Sequence, residues 1–404
     1  AYPDPRFVFA GADAAIAFVN VDPASARYGE RRAAVVSQIP DEWHLVIEPL
    51  RPLESETRYA LVITRSLLGD GGACAAPSEA FARMLAGGAD LKGAEKALSS
   101  QVRGDAADAA AVDPRYGADN LLLAMAFTTQ STVSEMRWAR DYVDALPEPE
   151  ILPGTERVET PAGGPAALRL RGKFLAADFA GPEEYWAPDG AGGFVHKRDL
   201  ALDFVLQVPR ETAEDRQPFP LGIVLHGVTL DLEMAVGFQD SMSDAGLASI
   251  AITAVGHRNG DPISNFFDFF NLLDIFGADP TAFRVIRENF RQSALDQYQA
   301  LRLARRLLRE GFDRAEPLGT PDLAADLPTA IVGVSLGGVM GPTLGAMAPE
   351  VGVSMLFAGG GAYGRIMARS PVFLAIPPLV LASFMPEEQV TPSVLALTLG
   401  VIQT

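Results

Sequence analysis

Five residues, Gly333-Val334-Ser335-Leu336-Gly337, have the types and spacing of an acyl-transfer nucleophile. A serine hydroxyl attacks a carbonyl carbon only when its oxygen stands clear of the backbone and the charge that develops is stabilised. A tight turn from a strand into a helix does both, because it lifts Oγ into the open and sets it at the helix end whose free N–H groups favour negative charge. Glycines two before and two after the serine, Gly333 and Gly337, suit such a turn, since a side chain at either place would meet neighbouring backbone. The pattern also arises by chance, and the alternative is an ordinary strand-to-helix turn. Its context favours catalysis. The apolar, partly β-branched run Ala330-Ile331-Val332 leads in, and small residues with a helix-like apolar pattern follow to Gly345.

Acyl transfer also needs N–H donors aimed at the oxyanion, and losing one costs about 3 kcal/mol or somewhat more. One donor is the residue after the nucleophile, Leu336. The other is expected in the loop that follows the apolar strand Leu221–Leu225, where Leu225-His226-Gly227-Val228 offers Val228. Gly227 lets that backbone come close. His226 is read as a prop for the loop through hydrogen bonding, the alternative being a catalytic base.

The elements that must position these residues follow from composition and periodicity. At 404 residues, 48% hydrophobic and 21% charged, the chain is long enough for two or three domains and is globular. A net charge of -18 repels nucleic acid and anionic membranes as partners. The single cysteine, Cys74, allows no internal disulfide and no cysteine metal cluster, and no metal or cofactor is expected. No apolar run reaches the ~18 residues of a membrane span; the best candidate, Pro371 to Met385, is broken by Pro377-Pro378. A start at Ala1 reads as a processed product, and the expected location is secreted, periplasmic or outer-surface, in a bacterium.

Residues 1–135 read as a β-sandwich-like accessory domain, with strands at Ala14–Val21, Arg32–Ile39, Trp43–Glu48, Arg58–Thr64 and Leu121–Thr128. Helical stretches at Ser78–Leu85 and Asp90–Gln101 interrupt them, and Gly104–Asp113 reads as an acidic connection. Residues 136–165 are taken as helix and linker, the helix-like pattern from Ser131 to Leu146 ending at Pro147-Glu148-Pro149. From 166 to 404 two alternating strands, Leu168–Leu175 and Leu200–Val208, lead into a strand–helix rhythm. Its strands are Leu221–Leu225, Ala248–Ala254, Ala330–Val334 and Val351–Phe357, and its helices Leu232–Ala245 and Thr281–Glu310. That rhythm implies an α/β fold, a mostly parallel sheet with helices on both faces and ligands at the carboxyl ends of its strands. Arg302, Arg305, Arg306 and Arg309 crowd the end of the long helix, where they complement its dipole and need no nucleic acid.

On these residues the chain resembles bacterial lipases and esterases of the α/β-hydrolase fold, of the virulence-factor type with an N-terminal immunoglobulin-like domain. The likeness rests on Arg58 to Thr64, Phe127-Thr128-Thr129-Gln130, Phe219 to Gly227, Arg291-Gln292-Ser293 with Asp296, and Gly333 to Gly338. It implies a serine carboxylic-ester hydrolase acting through an acyl-enzyme on Ser335, with an ester or lipid as its partner. Pro342 departs from the pattern, falling inside the helix after Ser335, where it should kink it.

The larger departure is the missing base. In this fold the acid and base follow the nucleophile, yet no residue after Ser335 is histidine or aspartate, and the only carboxylates there are Glu350, Glu387 and Glu388. A base would have to come from His226 or His257, both upstream. Three explanations compete. In the first, the hydrolase sheet is incomplete at the C-terminus and a C-terminal fragment of the same protein completes it with the acid and base. In the second, the scaffold is catalytically dead and serves as a secreted binding or assembly protein. In the third, the serine has unusual partners. The apolar stretch from Val372 to Leu399 is read as a lid or acyl-binding wall, or equally as a buried helical pair.

Overall fold

The computed structural model describes residues 7–39, 44–69, 72–131, 133–212, 216–257, 261–276, 282–360, 381–382, 384–391 and 394. Contacts divide the chain into one unit of Ala1–Val133 with Thr391–Gly400, and a second of Ser134–Val390 with Val401–Thr404.

The first unit contains β1 (Phe7–Phe9), β2 (Ile16–Asn20), β3 (Arg31–Ile39), β4 (His44–Pro49), β5 (Arg58–Thr64), α1 (Glu79–Ala86), α2 (Gly93–Val112) and β6 (Leu121–Thr128). The strands run β1-β3-β2-β5-β6 with β4 on β3, and every pairing is antiparallel. One face of this sheet is covered by helices. Ala17, Val19, Ala60, Val62 and Ala124 pack with Phe81 of α1 and Ala106 and Ala109 of α2. The stretch expected as an acidic connection, Gly104–Asp113, is instead helical to Val112, because its alanines favour helix and Asp105 is buried against Arg58 at 2.9 Å.

The second unit starts at α3 (Ser134–Ala145), followed by β7 (Arg157–Glu159), β8 (Ala166–Asp178), β9 (Arg198–Pro209), β10 (Leu221–Leu225), α4 (Leu232–Asp244), β11 (Ala248–Ile252), α5 (Pro262–Phe269), α6 (Leu272–Phe276), α7 (Ala282–Arg309), β12 (Thr329–Val334), α8 (Leu336–Met347) and β13 (Val351–Phe357). Of the segment 136–165, expected as helix and linker, the helix is α3 and parts of it pack into this unit. Ala139 and Val143 of α3 are fully buried in the core of this unit, Tyr298 on α7 donates to Asp144 at 2.7 Å, and β7 pairs with β8. The boundary therefore falls near Ser134, where the apolar face of α3 finds its partner downstream.

The seven strands run β13-β12-β10-β11-β9-β8-β7. β11, β10, β12 and β13 are parallel, while β9 is antiparallel to both β11 and β8. Helices lie on both faces. Val224, Ala251 and Val332 point to Ala235 and Met242 of α4, and Ile223, Ile250 and Ile331 point to Leu301 of α7 and Leu344 of α8. Such two-sided burial is why these strands read as continuous apolar runs. β10, between β12 and β11, has Val224 beside Ala251 and Leu225 beside Gly333, so the loops after β10, β11 and β12 leave the sheet at one edge. No helix of the described residues is long and apolar enough to cross a membrane. The Val372–Leu399 segment lies outside the described residues apart from 381–382, 384–391 and 394, of which Leu381 is buried and Phe384 packs on the main core.

Candidate active site

Ser335 is the single residue between β12 and α8. It is exposed, and its backbone is held at φ 55° and ψ −112°, a left-handed conformation that costs a non-glycine residue of order 1–3 kcal/mol. Three bonds maintain it. Its N–H donates to Phe357 O of β13 at 2.8 Å, its carbonyl accepts from Val339 at 3.0 Å, and Gly337 N–H donates to His226 O at 3.0 Å. The flanking glycines are required by close approach. A Cβ on Gly337 would stand 2.0 Å from Leu225 O, and one on Gly333 would stand 2.4 Å from Gly337 O. α8 runs on through Pro342 from Leu336 to Met347.

The loop after β10 lies against the nucleophile. A Cβ on Gly227 would lie 3.4 Å from Ser335 Cβ, an ordinary contact, so glycine here is favoured less strictly than at 333 or 337. Among the described residues neither Leu336 N–H nor Val228 N–H has an acceptor. Neither donor is therefore spent on the protein's own carbonyls among those residues, which leaves them available to a ligand oxygen.

His226 is buried and makes two bonds. Ala254 N–H donates to Nε2 at 2.9 Å, so the ring proton is on Nδ1, which donates to Gly227 O at 2.8 Å. Burial pushes its pKa down to about 4, so the ring is neutral at pH 7. With both nitrogens engaged, it is placed to hold the loop.

His257, in the loop after β11, is buried and its ring centroid lies 5.0 Å from that of His226. Nδ1 faces Val255 O at 2.8 Å and Nε2 faces Val228 O. Burial lowers its pKa, while those carbonyls and the Asp268 carboxylate act the other way. His196 contacts Tyr142 Oη and Asp199, and His44 lies on β4 of the first unit. Glu350 pairs with Arg305 at 2.7 Å. The described residues contain no group of three or more His, Cys, Asp or Glu able to hold a metal.

Three α7 residues that motif reading left without a role fix the surroundings. Ser293 Oγ accepts from Val255 N–H at 3.0 Å and so ties down the His257 loop. Gln292 Oε1 accepts from Phe179 N–H and Trp186 Nε1–H, each at 3.1 Å, while its Nε2 donates to Ala177 O and to Asp296. The available signal was a cluster of polar residues on the apolar side of a long helix, which only buried partners explain. Two cavities flank the loop after β11, one of about 180 Å³ touching Val255 and Gly256 and one of about 230 Å³ touching Thr253 and His257; Ser335 lines neither.

Strand order, antiparallel β9 and a strained serine on the turn from the parallel strand β12 define a fold of the α/β-hydrolase type. No family model matches the chain, and no curated protein does. Among solved structures it is similar to an acetyl xylan esterase from Paenibacillus sp. R4, at 12% identity and a TM-score of 0.38 over 68% of this chain and 74% of that one. It is also similar to acetyl xylan esterase 1 from Thermoanaerobacterium, at 16% and 0.34 over 66% and 71%. A protein designated a dienelactone hydrolase from Klebsiella pneumoniae matches at 14% and 0.27, over 47% of this chain and 60% of its own, less than two thirds of its length. Likenesses this low carry no argument about function, for which the elbow and its neighbours must answer.

Proposed function

We propose that this chain is a serine carboxylic-ester hydrolase acting through an acyl-enzyme on Ser335. The observation that carries the reading is the strained, exposed serine at φ 55° with the Gly227 backbone against it, and Leu336 and Val228 are the N–H donors proposed for the oxyanion. Ser335 Oγ attacks the ester carbonyl, the two N–H groups take the oxyanion, the alcohol leaves, and water releases the acid from the serine. All four histidines of the chain have other bonds or lie elsewhere, so the proton leaving Oγ passes to a base outside that set. Ester or lipid is the substrate class, and no cofactor takes part. Incubation of the full chain with a fluorophosphonate should attach the phosphonyl group to Ser335 with loss of fluoride. Ser335→Ala should abolish both labelling and ester hydrolysis. An unlabelled wild-type serine beside a labelled control esterase sinks the reading.

The engagement of His226 and His257 in loop bonds favours one alternative, a hydrolase scaffold that binds without turnover. Its signature is ester-analogue binding that survives Ser335→Ala with no hydrolysis in the wild type.

A further inference from the structure

Resting on that reading of Ser335, we infer that His257 is a positioning residue of the oxyanion hole, fixing the side of Val228 that His226 does not reach. Val228 stands between two planar peptide groups, and its N–H is aimed only when both planes are held. The plane that carries the N–H is held through Gly227 O, which accepts from His226 Nδ1 at 2.8 Å and from Leu230 N–H at 3.1 Å. The following plane is held through Val228 O by His257 Nε2. The two imidazoles therefore clamp one residue from either side, their rings 5.0 Å apart.

His257 is itself anchored. Its N–H donates to Ala254 O at 3.2 Å, its ring packs on Phe269 at 5.3 Å, and Val255 N–H is held by Ser293 of α7. A route of direct contacts thus runs from α7 through the loop after β11 to the proposed oxyanion donor. A neutral imidazole has one N–H but faces two carbonyls here. Donation to Val228 O leaves Nδ1 as a bare acceptor 2.8 Å from Val255 O, an unfavourable approach in a buried place. Such a cost persists where the surrounding structure imposes it, and here it is imposed at the edge that presents the nucleophile.

The test compares full-chain wild type with His257→Gln, whose amide N–H can still donate to Val228 O, and His257→Asn, whose shorter arm cannot. Each is measured for fluorophosphonate labelling rate, for kcat and KM on a p-nitrophenyl ester, for Tm, and for the Val228 carbonyl resonance after [1-13C]valine labelling. His257→Asn should lose about tenfold to a hundredfold in kcat and labelling rate with KM within about twofold. Its carbonyl resonance should move upfield, and His257→Gln should restore most of both. Equal rates for the two variants at wild-type level, or a carbonyl resonance that stays in place in His257→Asn, overturns the inference. If wild-type Ser335 does not label, the hydrolase reading falls on that result alone, and the carbonyl resonance still decides whether His257 holds Val228.

Discussion

At the scale of single residues, His226 ties acid sensitivity to the proposed site. Its folded pKa is about 4 against an ordinary 6.5, so between those values the unfolded chain binds a proton that the folded chain refuses. Stability from this group is complete above pH 6.5, falls as pH drops toward 4, and levels off below, a loss on the order of 3 kcal/mol. Urea unfolding at pH 7 and pH 4.5 should show that loss in wild type, and His226→Asn should lack this component of it. An identical pH slope in both would remove His226 as its source. The same residue shows what a sequence can disclose. His226 and Gly227 follow an apolar strand, which places them at a strand's carboxyl end, and Gly333 and Gly337 announce the elbow because the steric demand there is local. His257 invites the role of base simply as a histidine after a strand. Its carbonyl partner on Val228 depends on β10 and β11 being neighbours, which no local pattern encodes.

At the scale of elements, β10, β11 and β12 are legible because burial on both faces leaves them few polar positions, Ser249 and Thr329 being the exceptions, whereas β13 is legible from its apolar residues although they are exposed. α7 is legible in extent, from Ala282 to Arg309, yet its buried side carries Gln292, Ser293, Asp296 and Gln297, which periodicity does not anticipate. α2 runs further than its sequence suggests because Gly104 and Asp105 look like a break, and only the Arg58 partner explains their place. α5 and α6 leave no clear period in a run crowded with phenylalanine. The polar side of α7 makes a specific demand. Gln292→Leu would leave Phe179 N–H, Trp186 Nε1–H and Ala177 O without that partner, and should cost about 2–4 kcal/mol. Thermal unfolding that matches wild type would show that these groups find other partners.

At the scale of the whole molecule, the two units have separate and unequal cores. The second has a large cluster rich in Leu, Ile and Phe on the α7 side of its seven-stranded sheet and a smaller one of Val, Ala and Met on the α4 side, while half of the buried residues on the helix-covered side of the first are alanine. Hydrophobic stabilisation follows buried apolar area, so the alanine-rich side contributes less per residue. Scanning calorimetry of the full chain should resolve two transitions, the smaller at lower temperature, with the Gln292→Leu change confined to the larger. A single transition that shifts as one with Gln292→Leu would show instead that the units unfold together.

The Ser335 N–H is held by the carbonyl of Phe357, the last residue of β13, and β13 is the outermost strand of the sheet among the described residues. Val353, Met355 and Phe357 on it are exposed. The twist that keeps the serine poised is therefore only as durable as the β12–β13 pairing, and reactivity at this position should fade with any change that loosens β13.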